Sequence, residues 1–375
     1  MDRKERFVID FVMLVRMEAV VRHLAAVLCL CVLFTASGGC NGTARDARPD
    51  ASASAPELTV GSAGLVVVAP ADASDAVKRR ADLVCDGVDD QEELSASFKC
   101  ARRDTFLFDT SPIAQAEAEA YVRHSVVWLP GTYNLGDTLV IPDAADCVIN
   151  AQGAYLQYNQ PEGDAVRIEG AYRCRYNFGT IDSHSVDAAI RIRPHKQLYT
   201  GMSFITFTGL IGHDFTGTGL LLDATESNIC VNKFEGTDIR GFDRGVFVSN
   251  APSHGANAGV PGKVDTNWFW FVYIRECMTG VQESTQGVDS GVWNVNVDAT
   301  RPDAVALRIG GGLGRWFVHM GVWGGGKAII IEPGATYLTI EMPLPLRGPY
   351  YENNSGNDTN TFIIGGKTMT SLPTE

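Results

Sequence analysis

Four residues with acid–base or ion-pairing side chains stand at one repeated position in this chain. His184, Asp214, Arg240 and Arg275 each lie five residues before a small residue (Ala189, Gly219, Gly245 and Gly280) that opens a short apolar run. Ser183 and His213 lie six before such a residue, and Asp182, Asp238 and Tyr273 seven before. If the small residues mark one level on stacked strands about 4.8 Å apart, these side chains form a column at one corner. A patch of Asp, His and Arg has the parts for β-elimination from an acidic sugar. Arg240 and Arg275 would pair the uronate carboxylate through parallel hydrogen bonds, and Arg191 is a further candidate for substrate contact. Asp182, Asp214 and Asp238 offer the oxygen ligands that Ca²⁺ takes. His184, or a tyrosine, would move the proton. The same residues would also make an ordinary solvated ladder of ion pairs, worth little energetically, and both readings stay open.

Residues 265–275 (DTNWFWFVYIR) are the second candidate. Strict alternation puts Trp268, Trp270, Val272 and Ile274 on one face and Phe269, Phe271 and Tyr273 on the other. Only one face can be inside, so aromatic surface must point outward. Exposed rings suit sugar stacking, and Phe269, Phe271 and Tyr273 are the expected substrate-binding set; packing beneath the loop over 250–263 or a contact between subunits would account for them as well. Trp316 and Phe317 begin a similar alternation on a later stretch.

The elements that would hold these residues come from a repeat. A Gly or Ala followed by alternating apolar residues recurs at Ala165, Ala189, Gly219, Gly245, Gly280, Ala304 and Ala328. The positions one and three beyond each are aliphatic except at Glu283, and the position between them varies freely. That is the period of a strand with one buried face. About two dozen residues per repeat leave no room for a helix between strands, so the coils stack as a solenoid. The expected class is all-β: a right-handed parallel β-helix over residues 126–375, behind an N-terminal strand and helix cap with an insertion over 61–125. Residues 250–263 read as a Gly- and Pro-rich loop leaving the solenoid.

Composition sets outer bounds. The 375 residues are 45% hydrophobic and 20% charged, with a formal net charge of −13. Such acidity argues against a nucleic-acid partner, which needs clustered Lys and Arg. Residues 24–34 (LAAVLCLCVLF) form an apolar run too short to span a bilayer, with Arg16 and Arg22 before it and small residues after it. This is the shape of a secretory signal, and Met17 is an alternative start. The segment S-G-G-C ends at Cys40 and resembles a bacterial lipobox, although Ser37 stands where leucine is usual. Residues 1–40 are therefore expected to be a signal ending at a lipid-modified Cys40. Residues 41–60, poor in bulky apolar side chains, read as a flexible tether. The expected location is exported: an outer-membrane or cell-surface lipoprotein, otherwise periplasmic or secreted, touching the membrane only through its anchor. Six cysteines lie beyond Cys40; an exported compartment permits disulfides among them, with fifteen connectivities, and isolated buried thiols fit most of them equally.

The N-terminal segment carries a likeness. VVVAPADASDAVKRRADLVCDGVDDQEEL, then VVWLPGTYNLGDTLVIP, resembles the opening segment of pectate-lyase-superfamily β-helix proteins. There a G-x-x-D-D helix caps the open end of the solenoid, and an L-P-x-G-x-Y turn, which residues 129–133 (LPGTY) resemble, opens the first coil. The resemblance implies that Asp89 and Asp90 are capping residues, not catalysts. Its hydrolase motifs N-T-D and G-H-G are missing, and residues 98–123 are an extra segment. The resemblance therefore implies fold more than activity. The activity expected is that of a lyase or epimerase on uronate-containing polysaccharide. The alternative is a non-enzymatic β-helix that binds glycan or assembles at the surface as a homotrimer.

Overall fold

In a computed structural model of the protein, the described residues are 65–99, 125–142, 144–194, 200–249 and, with gaps, 262–369. The signal, Cys40, the tether, residues 100–123 of the extra segment and the loop over 250–261 lie outside them. The described chain is a β-solenoid of about 7 turns.

Each coil contributes to three sheets in a fixed order. Val148–Tyr158 lies in sheet A, Val166–Ile168 in sheet B and Ala171–Tyr172 in sheet C; Arg175–Ser183 then returns to sheet A beside Val148–Tyr158. Neighbouring coils pair in parallel throughout, apart from the last strand, Lys367–Met369, which runs antiparallel to Thr361–Ile364.

Alternation explains why the coils close on a dry interior. In sheet B, Ile190, Ile192, Leu220, Leu222, Val246 and Val248 are fully buried, while Arg191 and Phe247 between them are not. The small residue that opens each run answers a close approach. A Cβ at Gly219 would lie 2.6 Å from the Ile239 side chain and 2.7 Å from the Gly245 carbonyl. In sheet A, Phe234, Phe269, Trp293 and Phe317 stack on successive coils, with centroids 4.9, 3.8 and 5.5 Å apart.

Two registers differ from the simple repeat. Gly280 lies level with Ala306 and not with Ala304, because Val281 pairs Leu307. A shift of two residues preserves the inward face, so Leu307 and Ile309 are still core. The other difference is local to Trp268–Arg275. Phe271 has φ 54°, and the register with the next strand slips between Phe269 and Val272. This bulge reverses the alternation. Phe269 turns inward at 1% exposure, which removes it from the substrate-binding set, whereas Trp268 and Phe271 are 51% and 60% exposed.

One corner carries a polar ladder. On most coils the residue before the first sheet A strand points inside: Cys147, Cys174, Ser203, Asn232, Asn267, Arg315 and Asn360 are all buried. The residue ahead of it is left-handed on most coils, as at Asp146, Arg173, Met202, Val231, Thr266 and Gly314, which turns the chain sharply. Asn267 Oδ1 accepts from the Asn232 backbone and from its Nδ2, both at 3.0 Å, while Asn267 Nδ2 donates to the Ile229 carbonyl at 2.8 Å. The ladder thus satisfies backbone groups that the turn leaves unpaired.

The N-terminal cap is short. Strand Leu65–Ala69 pairs Ser125–Trp128, helix α1 spans Asp75–Lys78, and α2 spans Gln91–Lys99. Asp90 precedes α2, but its carboxylate serves the junction with the first coil. It accepts from the backbone of Gly87 at 2.8 Å and of Asn134 at 2.7 Å. Tyr133, fully buried, donates to the Leu129 carbonyl at 2.7 Å.

Candidate functional site

The outer face of sheet A brings most of the candidate residues together, though not as a single column. Pairing sets Asp182 beside Ile211, Ile211 beside Arg240, Arg240 beside Arg275, and Arg275 beside Asp298. Arg240 and Arg275 are therefore neighbours at one level, but His184 and Asp214 are not at that level. The reason is turn length. The turn from sheet A to sheet B is longer after Asp182 and Ile211 than after Arg240 and Arg275. The extra residues on the two earlier coils are those that carry His184, His213 and Asp214. Asp214, left-handed at φ 56° and exposed, lies on its turn.

The longer turns create a compact cluster. His213 Nε2 lies 2.6 Å from Asp182 Oδ1, and the Tyr155 hydroxyl donates to Asp182 Oδ2. The His184 ring stacks on His213, centroids 3.7 Å apart and nearly parallel. Burial is the main force pushing the Tyr155 hydroxyl up to about 12, and its bond to Asp182 adds to that, with Arg240 opposing. Tyr155 therefore stays protonated at neutral pH, with its hydroxyl proton on Asp182.

The second half of the site is a charge group. Arg275 grips Asp238 with both arms, at 2.8 Å from Nε and 3.0 Å from Nη2. That bond raises the Arg275 guanidinium further. Arg240 touches Asp238 only at 3.5 Å, so it is the cation less committed to a partner. Tyr273, two residues before Arg275 on the same strand, is half-buried. Arg191 lies elsewhere, in sheet B, among Asp164 at 2.9 Å, Asp223 at 3.5 Å and Asp187 at 3.6 Å.

An aromatic and basic row runs along the opposite margin of the same sheet. Arg175, Phe204, Lys233, Trp268, Val292 and Trp316 occupy one level on six successive coils. Lys233 Nζ sits 4.8 Å above the Phe204 ring and 5.9 Å from Trp270, and Arg175 lies 5.5 Å over Phe204. Trp316 is 47% exposed. Rings therefore recur on every second coil, roughly 10 Å apart at strand spacing.

The Ca²⁺ expectation does not fit these residues. Asp238 is spent on Arg275, and Asp214 faces solvent from its own turn, so the three carboxylates do not converge. Among the described residues, two groups could converge on an ion: Asp182 with His184 and His213, and Cys85 with Asp90 and Glu93. In the second group Asp90 already takes two backbone donors, and burial and nearby carboxylates push the Cys85 thiol up, away from the ligating thiolate.

Tyr155 escaped the sequence reading. It precedes the first small residue by ten positions, and Val148–Tyr158 carries extra residues between Ala151 and Tyr155 that break the count. Its alternation with Leu156 and Tyr158, both buried, was the signal that marks it as outward. His213 was legible by position, but its partner was not.

Fold and site together define a parallel β-solenoid with an acid–base cluster, a pair of arginines and an aromatic row on one sheet face. Comparison with known protein families, curated proteins and solved structures finds no match for the chain.

Proposed function

We propose that the protein is an exported glycan-processing β-solenoid that cleaves a uronate-containing polysaccharide by β-elimination on the outer face of sheet A. The observation that carries this is Asp182 held between Tyr155 and His213, with Arg240 close enough to act on Tyr155 electrostatically. Asp182 binds one nitrogen of His213, leaving Nδ1 to take the proton from C5 of the uronate. Arg240 neutralises the uronate carboxylate, which makes that C–H more acidic. The C4–O4 bond then breaks, its electron pair leaves with O4, and a C4–C5 double bond forms. Tyr155 gives its proton to O4 and recovers one from solvent. Hydrolysis is a poorer fit, because it uses two carboxylates flanking the bond, and Asp238 is engaged by Arg275.

Incubation with a panel of polyuronates tests this through the ultraviolet absorbance of the new conjugated double bond. Activity is expected, with His213→Ala and Arg240→Ala each lowering it by about 100-fold or more. No absorbance change on any polyuronate would sink the reading.

The aromatic row favours a second reading, a β-solenoid that holds glycan without cleaving it. Rings beside Lys and Arg suit a sugar chain bearing carboxylates. Retained glycan binding without cleavage, lost in the Trp268→Ala/Trp316→Ala double variant, would select it. Export and anchoring through a lipidated Cys40 belong to the proposal on either reading. Loss of membrane association in Cys40→Ala cells tests them, and light scattering tests assembly as a homotrimer.

A further inference from the structure

We infer that Asp182, His184 and His213 form a binding site for one divalent ion of the zinc class, such as Zn²⁺, Ni²⁺ or Co²⁺. One ligand atom from each lies within 4.8 Å of the others. The donor set is two imidazole nitrogens and one carboxylate oxygen. That set suits borderline transition metals, whereas Ca²⁺ and Mg²⁺ prefer oxygen alone.

Three features separate this cluster from a chance grouping. Its residues come from two coils whose turns are longer than those of the next two, and the added residues include both histidines. The His184 ring lies against the His213 ring at 3.7 Å, which brings a second imidazole nitrogen within reach of the Asp182 carboxylate. Finally, Tyr155 holds the oxygen of Asp182 that His213 does not, as outer hydrogen bonds commonly fix the orientation of a ligating carboxylate. His184 is exposed and His213 half-exposed. Three protein ligands facing solvent leave further positions for water or a substrate oxygen.

The inference uses residues of the proposed reaction but stands without it. An ion there occupies the His213 lone pair that the proposed reaction needs, so zinc is expected to inhibit that cleavage and chelator to restore it.

Calorimetric titration of tag-free, chelator-treated full-length protein with ZnCl₂ tests the site. One ion per chain is expected. His184→Ala, His213→Ala and Asp182→Asn should each weaken affinity by at least about tenfold, and Tyr155→Phe by about tenfold through the carboxylate it orients. Asp146→Asn, on a different corner, should bind as the parent does. Visible absorption of a Co²⁺ adduct, displaced by Zn²⁺ and lost in His213→Gln, would support nitrogen ligation should an alanine variant fail to fold. No binding by the parent, or equal binding by the three ligand variants, would overturn the inference. Zinc binding without polyuronate cleavage even in chelator would leave the site standing and remove the lyase. Cleavage that persists in chelator, by a protein that binds no zinc, would do the reverse.

Discussion

Glu283 is the residue that breaks the aliphatic pattern of the coils, and burial makes it consequential. Its carboxylate lies 3.4 Å from Arg315, and both side chains are wholly enclosed. Arg315 donates to the Gly310 carbonyl at 2.7 Å. It fits there because Gly312, at φ 131°, has no side chain: a Cβ would sit 1.9 Å from the Val288 carbonyl and 2.8 Å from Arg315. Replacing Arg315 by Met strands a buried carboxylate and should cost roughly 3–5 kcal/mol, read as a lower urea midpoint. The double change Glu283→Met/Arg315→Met should recover most of that loss. Burial pushes the Glu283 carboxyl from 4.5 to about 6, against the pull of Arg315. The folded protein then holds this proton more tightly than the unfolded chain does. Stability from this group is therefore greatest below pH 4.5, falls as pH rises towards 6, and is level above that. The fall is up to about 2 kcal/mol. In Glu283→Gln, the urea midpoint should lose this component of its pH dependence. The sequence announced Glu283 as an exception, but Arg315 gave no sign, since a lone Arg before an aromatic strand reads as surface.

At the scale of the element, the corner ladder and the bulge decide which residues face in. Asn267 links its own coil to the preceding one through three hydrogen bonds. Asn267→Leu keeps the volume but leaves the Asn232 backbone N–H and the Ile229 carbonyl unpaired. A loss of roughly 2–4 kcal/mol is expected by thermal or urea unfolding. Leu338, fully buried at the corresponding corner, should accept Asn more easily than Asn267 accepts Leu. Alternation made the strands and the inward aliphatic residues legible, as at Ile190 and Ile192. It failed at Trp268–Arg275 because one left-handed residue, Phe271, shifts the count by one and sends Phe269 to the core. The site was legible in its residue types and only partly in its geometry. Position within the repeat placed Arg240 beside Arg275, yet turn length, which the apolar pattern does not report, moved His184 and His213 off that level.

For the whole molecule, each coil touches mainly its neighbours, so stability is spread along a line. The cysteines sample that line. Cys85, Cys147, Cys174 and Cys277 are buried free thiols, while Cys230 is partly exposed. Burial pushes the Cys147 and Cys277 thiols up to about 12, which leaves almost no reactive thiolate at neutral pH. Thiol labelling followed by peptide mass spectrometry should modify Cys230 first. The buried thiols should follow only as their own coils open in rising urea, with an order that maps where unfolding begins. Simultaneous modification of all five would instead mean that the coils open as one unit.

The last strand has a consequence for how such molecules meet. A parallel stack ends in a row of backbone donors and acceptors in the right register for another coil, and an unprotected end of that kind recruits further strands. Here Lys367–Met369 folds back antiparallel across Thr361–Ile364, and Lys367 and Thr368 on it are exposed. The reversed direction and the charge spoil the template. On this sheet a short, charged, antiparallel strand therefore stands where a further parallel coil would pair.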